Sequence, residues 1–268
     1  MIPKATFSFA AQRAVRRTAS LAGLALVVLA LGILLAGTVG AAPRRDEGAG
    51  LGQSGAVWTL VAPTGWTSSP VTVRATVYDA DMPAAATTEY RQSTDGGAHW
   101  SVWSADVALQ HTQIDAYTVQ ITLTLTGLAE SASANRVQLR VEDAIPTVET
   151  SPIYTLQIDN AGPAAPGALV AAPASWSKAN SFALNWSNPI DVSGIAKAYY
   201  KLGATPSSPS DFAGSSAGSN ISSLSGITVP SEGAHTMYVW LEDGAGHNAY
   251  TRTAQSTLYF DTTPPGSP

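Results

Sequence analysis

The feature that most constrains this chain is a repeat. The run RVQLRVEDA at 136–144 returns one hundred positions later as TMYVWLEDG at 236–244. In the first run Val137, Leu139 and Val141 alternate with polar residues; in the second Met237, Val239 and Leu241 do the same, and both reach Glu-Asp. A period of two marks a strand with one buried face, because successive side chains on a strand point to opposite sides. The correspondence extends both ways. YTLQIDNAGPAAP (154–166) parallels TLYFDTTPPGSP (257–268), and VTVRATVYDADMPAAATTEYRQS (71–93) parallels SFALNWSNPIDVSGIAKAYYKLG (181–203). The chain after its N-terminal region is therefore expected to hold two related units, 56–162 and 163–263, followed by a Pro-rich linker end at 264–268.

Each unit reads as β. Short runs rich in Val, Thr, Tyr and Trp are separated by Gly, Pro, Ser and Asn turns at a spacing of roughly 8–12 residues. Strands are predicted near 56–62, 70–78, 87–93, 99–104, 117–126, 136–142 and 151–158, and near 167–173, 181–187, 196–203, 224–229, 235–242 and 250–260. Six or seven strands in roughly a hundred residues is the size of a β-sandwich. The chain has no cysteine, so burial alone must hold each core. Trp58, Trp103, Trp186 and Trp240 are candidates for the centres of those cores, since an enclosed aromatic buries roughly 150–250 Å².

In its second half the chain resembles the Ig-like or fibronectin type III-like repeats of bacterial surface proteins. The residues that carry the likeness are NPIDVSGIAKAYYKLG (188–203), GITVPSEGAHTMYVWLEDGAGHN (226–248) and DTTPP (261–265). The likeness covers nearly all of the second unit and, more loosely, the first. It implies an all-β fold of two tandem Ig-like or fibronectin III-like β-sandwiches, and modules that usually serve as stalks or adhesive elements, strung in tandem and often attached to enzymes or binding domains.

The N-terminal region is of another kind. Lys4, Arg13, Arg16 and Arg17 precede an uncharged run ending in small residues, with LAGLALVVLALGILLAG at its centre (21–37). That order is an export signal, predicted as a hydrophobic helix. The run is longer than a usual signal core and approaches the roughly 20 residues that span a bilayer. Residues 1–42 thus read either as a cleaved signal peptide or as a signal anchor, with 19–42 in the membrane if uncleaved. Residues 43–55 read as a flexible linker, and everything after it as extracytoplasmic, secreted or held facing outward. A formal net charge of -5 argues against nucleic acid as a partner. The linker at 264–268 points to further domains C-terminal to residue 268.

One short motif invites an enzymatic reading. STDGGAHW (93–100) resembles the Asp-box, Ser/Thr-x-Asp-x-Gly-x-x-Trp, of sialidases and other β-propellers. It occurs once, and a propeller needs at least four sheets of four strands. Ser93, Asp95, Gly97 and Trp100 are therefore expected to stabilise a hairpin. No GxSxG, P-loop or Rossmann fingerprint occurs. Histidines 99, 111, 235 and 247 lack metal-ligand spacing and read as solvated loop residues. The acidic pairs Asp79/Asp81, Glu142/Asp143 and Glu242/Asp243 lie at turns and do not make a facing acid–base pair.

Two binding sites remain as candidates. In an Ig-like sandwich the linker from the preceding unit meets the acidic loops at one end. This arrangement would bring Asp159 and Asn160 near Asp191, Glu242 and Asp243, an oxygen-rich set suited to Ca²⁺; the alternative is that the aspartates cap tight turns. Trp66, Trp100 and Trp103 form a candidate platform for a polysaccharide, with core and hairpin packing as the alternative. No other cofactor is expected. The functional expectation is a non-catalytic structural or adhesive stalk or display module of a bacterial surface protein, with a cell-surface protein or polysaccharide as ligand. The alternative is the N-terminal accessory region of a larger exported hydrolase.

Overall fold

The computed structural model describes residues 55–80, 87–105, 109–142 and 148–267, and these residues are all β. The first sandwich contains β1 (Val57–Ala62), β2 (Val71–Tyr78), β3 (Thr87–Ser93), β4 (Leu109–Asp115), β5 (Thr118–Leu125), β6 (Ser131–Glu142), β7 (Val148–Thr150) and β8 (Tyr154–Ile158). The second contains β9 (Gly167–Ala172), β10 (Phe182–Ser187), β11 (Ile195–Leu202), β12 (Gly214–Ala217), β13 (Ser223–Ile227), β14 (Gly233–Asp243) and β15 (Ala254–Phe260). The expected signal or anchor helix, and residues Asp81 and Asp143, lie outside the described residues.

In the first sandwich one sheet runs β1-β2-β5-β4 and the other β3-β6-β7, with β8 also pairing β6. In the second, β13-β10-β9 faces β12-β11-β14-β15. The alternation in the sequence explains the cores. On β2, Val71, Val73, Ala75 and Val77 point inward, and register sets Val73 opposite Leu123, Ala75 opposite Ile121 and Val77 opposite Val119 of β5. Val137, Leu139 and Val141 of β6 and Leu156 and Ile158 of β8 close the core from the other sheet. Each valine, leucine or isoleucine among them contributes about 1.5–3 kcal/mol on full burial. The second core is built alike, from Phe182, Leu184 and Trp186 on β10 against Met237, Val239 and Leu241 on β14.

The tryptophans divide. Trp186 lies in the second core and Trp58 packs against the first. Trp240 is fully buried, but on the side of β14 opposite Val239 and Leu241. There it stacks on Tyr199 at 5.5 Å, and Phe212 lies 5.0 Å from the other ring. Trp103 is not a core residue, which corrects the expectation. Segment 99–104 is not a strand: it folds back over β3 through a bridge between Ser104 and Tyr90 and a bond from the Ser101 amide to the Gln92 carbonyl. Tyr90 faces the core, so its neighbour Arg91 faces outward, and Trp103 lies over Arg91. The strands that sequence reading passed over, β4, β7 and β12, are short or exposed edge strands.

The chain leaves both sandwiches by the same device. Ile158 makes a parallel bridge to Thr67, and Phe260 makes one to Ser177. The next residue, Asp159 or Asp261, then donates its amide to that same Thr67 or Ser177 carbonyl.

Candidate functional site

The linker after β8 runs directly against the second sandwich, and the best-organised polar cluster lies there. Asp159 is almost fully buried, and its Oδ1 accepts the amide of Ala161 in an Asx turn. Asn160 ties the linker to the first sandwich, accepting the Ser69 amide at 2.8 Å and donating to the Leu128 carbonyl at 2.9 Å. Gly162 then passes so close to His247 that an added Cβ would stand 3.1 Å from the His247 Cβ. Arg252 donates to the carbonyls of Gly162 at 2.6 Å and Pro163 at 3.2 Å.

From the other side, the turn after β14 presents Asp243 and His247. Asp243 is buried, and its Oδ1 accepts the amides of Ala245 and His247, both at 2.9 Å. Its Oδ2 lies 2.8 Å from His247 Nδ1, and His247 Nε2 lies 2.7 Å from Ser68 Oγ of the first sandwich. Gly244 is required here, since a Cβ would stand 2.6 Å from the Ser193 carbonyl. Asp191 lies in the neighbouring loop, accepting from Ser193, and burial followed by the charges of Asp159 and Asp243 pushes its carboxyl above the usual carboxylate range.

Of the five residues expected at this joint, the structure brings Asp159, Asp191 and Asp243 together. Glu242 faces away, accepting the Tyr199 hydroxyl at 2.6 Å, because it neighbours Asp243 on the strand and so points to the opposite face. Asn160 is committed to Ser69 and Leu128. His247, read from sequence as a solvated loop residue, is instead the hub of the joint. One oxygen each from Asp159 and Asp243 and one ring nitrogen of His247 lie within 4.8 Å of one another. Serine, imidazole and carboxylate stand in the order of a nucleophile relay. Here that relay spans two sandwiches, and its hydrogen bonds tie Ser68 of the first to the turn after β14 of the second.

The STDGGAHW turn makes a second polar structure. Ser93 Oγ donates to Asp95 Oδ1 at 2.7 Å and accepts the Gly97 amide at 2.9 Å. Gly96 and Gly97 have φ of 75° and 92°, which other residues rarely adopt. Asp95 accepts the His99 amide at 2.9 Å and meets its ring at 2.5 Å. The His99 amide, followed by the Ser93 hydroxyl, holds its carboxyl well below the usual range. The turn delivers Trp100 and Trp103 onto the outer face of β3 and β6. There the Arg91 guanidinium lies 4.7 Å from one ring centre and 4.8 Å from the other, and Arg140 lies 4.5 Å from Trp103. Trp66, the third residue expected on a sugar platform, lies in the segment that pairs with β8 through Thr67.

No family model matches the chain, and no curated protein matches it. Among solved structures it is similar to the fibronectin(III)-like modules of Clostridium thermocellum CbhA, with 12% identity, 76% of this chain and 94% of that one covered, and a TM-score of 0.39. It is also similar to the FN1–FN3 domains of chicken CNTN1, with 11% identity, 73% and 65% covered, and a TM-score of 0.37.

Proposed function

We propose that the chain is a non-catalytic, extracytoplasmic structural module, a stalk or display element of a surface protein that holds whatever it carries at a fixed distance and orientation. The observation that supports this reading is the joint. Two sandwiches on a free linker would move independently, which is the default for domains with a small mutual interface. Here the linker is tied to the first sandwich by Asn160 and to the second by Arg252, and Ser68 bonds directly to His247 across the junction. A connection satisfied on both sides acts as a spacer rather than a hinge.

The test is a location and a size. An antibody to residues 56–262 would be applied to membrane, wall and medium fractions of the source cells, and to intact cells treated with protease. The proposal expects the antigen outside the cytoplasmic membrane and degraded by external protease. Antigen confined to the cytosol and protected in intact cells would contradict it.

A further inference from the structure

We propose that the joint is a Ca²⁺ site, in which Asp159, Asp191 and Asp243 hold one ion between the linker and the second sandwich. The inference rests on the donor set and holds whether or not the chain is a stalk. Its starting point is an oxygen without a partner. Asp159 is 1% exposed, its Oδ1 is taken by the Ala161 amide, and its buried Oδ2 accepts no hydrogen bond. A carboxylate oxygen in that position is costly unless a cation or donor meets it. What lies nearby is another carboxylate, that of Asp243, with the His247 ring, all three within 4.8 Å. A separation within 4.8 Å lets one oxygen of Asp159 and one of Asp243 meet a single ion at bonds of about 2.3–2.6 Å. Asp191 is the third carboxylate: its Oδ1 accepts the Ser193 amide and hydroxyl, and that same hydroxyl oxygen accepts the amide of Gly244, next to Asp243.

Arg252 donates to the carbonyls of Gly162 and Pro163. His247 has both nitrogens in hydrogen bonds, Nδ1 with Asp243 and Nε2 with Ser68. It acts as a positioning residue that fixes the Asp243 carboxylate. An all-oxygen set of carboxylates on loops, completed by water, suits Ca²⁺, whereas Zn²⁺ would draw the imidazole out of one of its bonds. Asp261 provides an internal control. It occupies the same place at the end of the second sandwich and likewise caps the second residue after it, Thr263, but it is exposed.

The experiment uses the full chain, dialysed against chelator and melted with and without CaCl₂, MgCl₂ or ZnCl₂, together with a calorimetric CaCl₂ titration. The expected result is one Ca²⁺ per chain and a rise in unfolding midpoint of roughly 5–10 °C at about a hundred times Kd. Asp159→Asn should lose the Ca²⁺ response, yet melt no lower than the parent in chelator, because it removes an unpaired buried charge. A merely structural Asp159 would instead cost stability in both buffers. Asp261→Asn should keep the full response. If Asp159→Asn does not fold, Asp191→Asn takes its place beside the parent titration. No Ca²⁺ response in the parent, or a response unchanged in the variants at the joint, would overturn the site. A response to ZnCl₂ alone that disappears in His247→Ala would overturn the assignment to Ca²⁺.

Discussion

Two turns in this molecule are built almost alike and do different work. Asp95-Gly-Gly-Ala-His99 and Asp243-Gly-Ala-Gly-His247 each use an aspartate whose Oδ1 accepts the amide four residues on, and whose Oδ2 meets that residue's Nδ1. Both contain a glycine at positive φ. The first turn is at the surface, with 91% of the His99 side chain and 39% of Asp95 exposed. The second is enclosed, with 26% of His247 and none of Asp243 exposed. The local chemistry makes the turn, and the surroundings decide its use. In the first sandwich the turn places two tryptophans on an arginine-lined face. In the second the imidazole's outer nitrogen meets Ser68, and the turn becomes one half of a joint.

That contrast can be broken from either side. The largest effect is expected from Asp243→Ala, which strands two backbone amides and the His247 ring in a buried site and should cost about 3 kcal/mol; chemical denaturation would measure it. Gly162→Val comes next, because the new side chain meets His247 at close range. Overpacking of this kind costs about 1–3 kcal/mol, and faster amide exchange across 243–249 should accompany it. Arg91→Ala removes a guanidinium from two indole faces and its bonds to Gln138. It should cost about 1–2 kcal/mol and shift tryptophan emission to the red.

Smaller effects belong to the exposed turn. The depressed Asp95 carboxyl contributes stability that is fully present above its unfolded value near 3.8 and is lost as pH falls toward its folded value. The difference in melting temperature between the parent and Asp95→Asn should therefore shrink below about pH 4. Asp211, lowered to about 2 by Lys201 and then Ser207, should behave the same way between those limits. His99→Ala should change the melt least of all, because its ring is largely in solvent. An effect as large as that of His247→Ala would show that exposure does not separate the two turns.

Much of the fold was legible because burial writes a period of two. Val71, Val73, Ala75 and Val77 announce β2, and Met237, Val239 and Leu241 announce β14. The signal fades where a strand has no buried face. In β4, LQHTQID carries little alternation because most of it is exposed, and GSSA of β12 carries none. Trp103 was misplaced because hydrophobicity marks burial without saying on which side of a sheet, and an arginine stack covers a tryptophan as a core does. At the joint, the aspartates were visible as acidic turns. Parity along the strand already separates Glu242 from Asp243, and applying it would have removed Glu242. His247 went unrecognised because its role depends on Ser68, 179 residues away. The signal available was the shared Asp-x-x-x-His spacing of the two turns.

The central claim is that the joint fixes the two sandwiches as one body. Because the chain has no cysteine, Thr112→Cys on β4 and Ser216→Cys on β12 would place spin labels at two exposed sites, one in each sandwich. Pulsed electron resonance on the full chain in Ca²⁺ buffer would then read the distance between them. The account predicts a single narrow distance distribution that broadens in Gly162→Val. A broad distribution in the otherwise unmodified chain, unchanged by Gly162→Val, would contradict it.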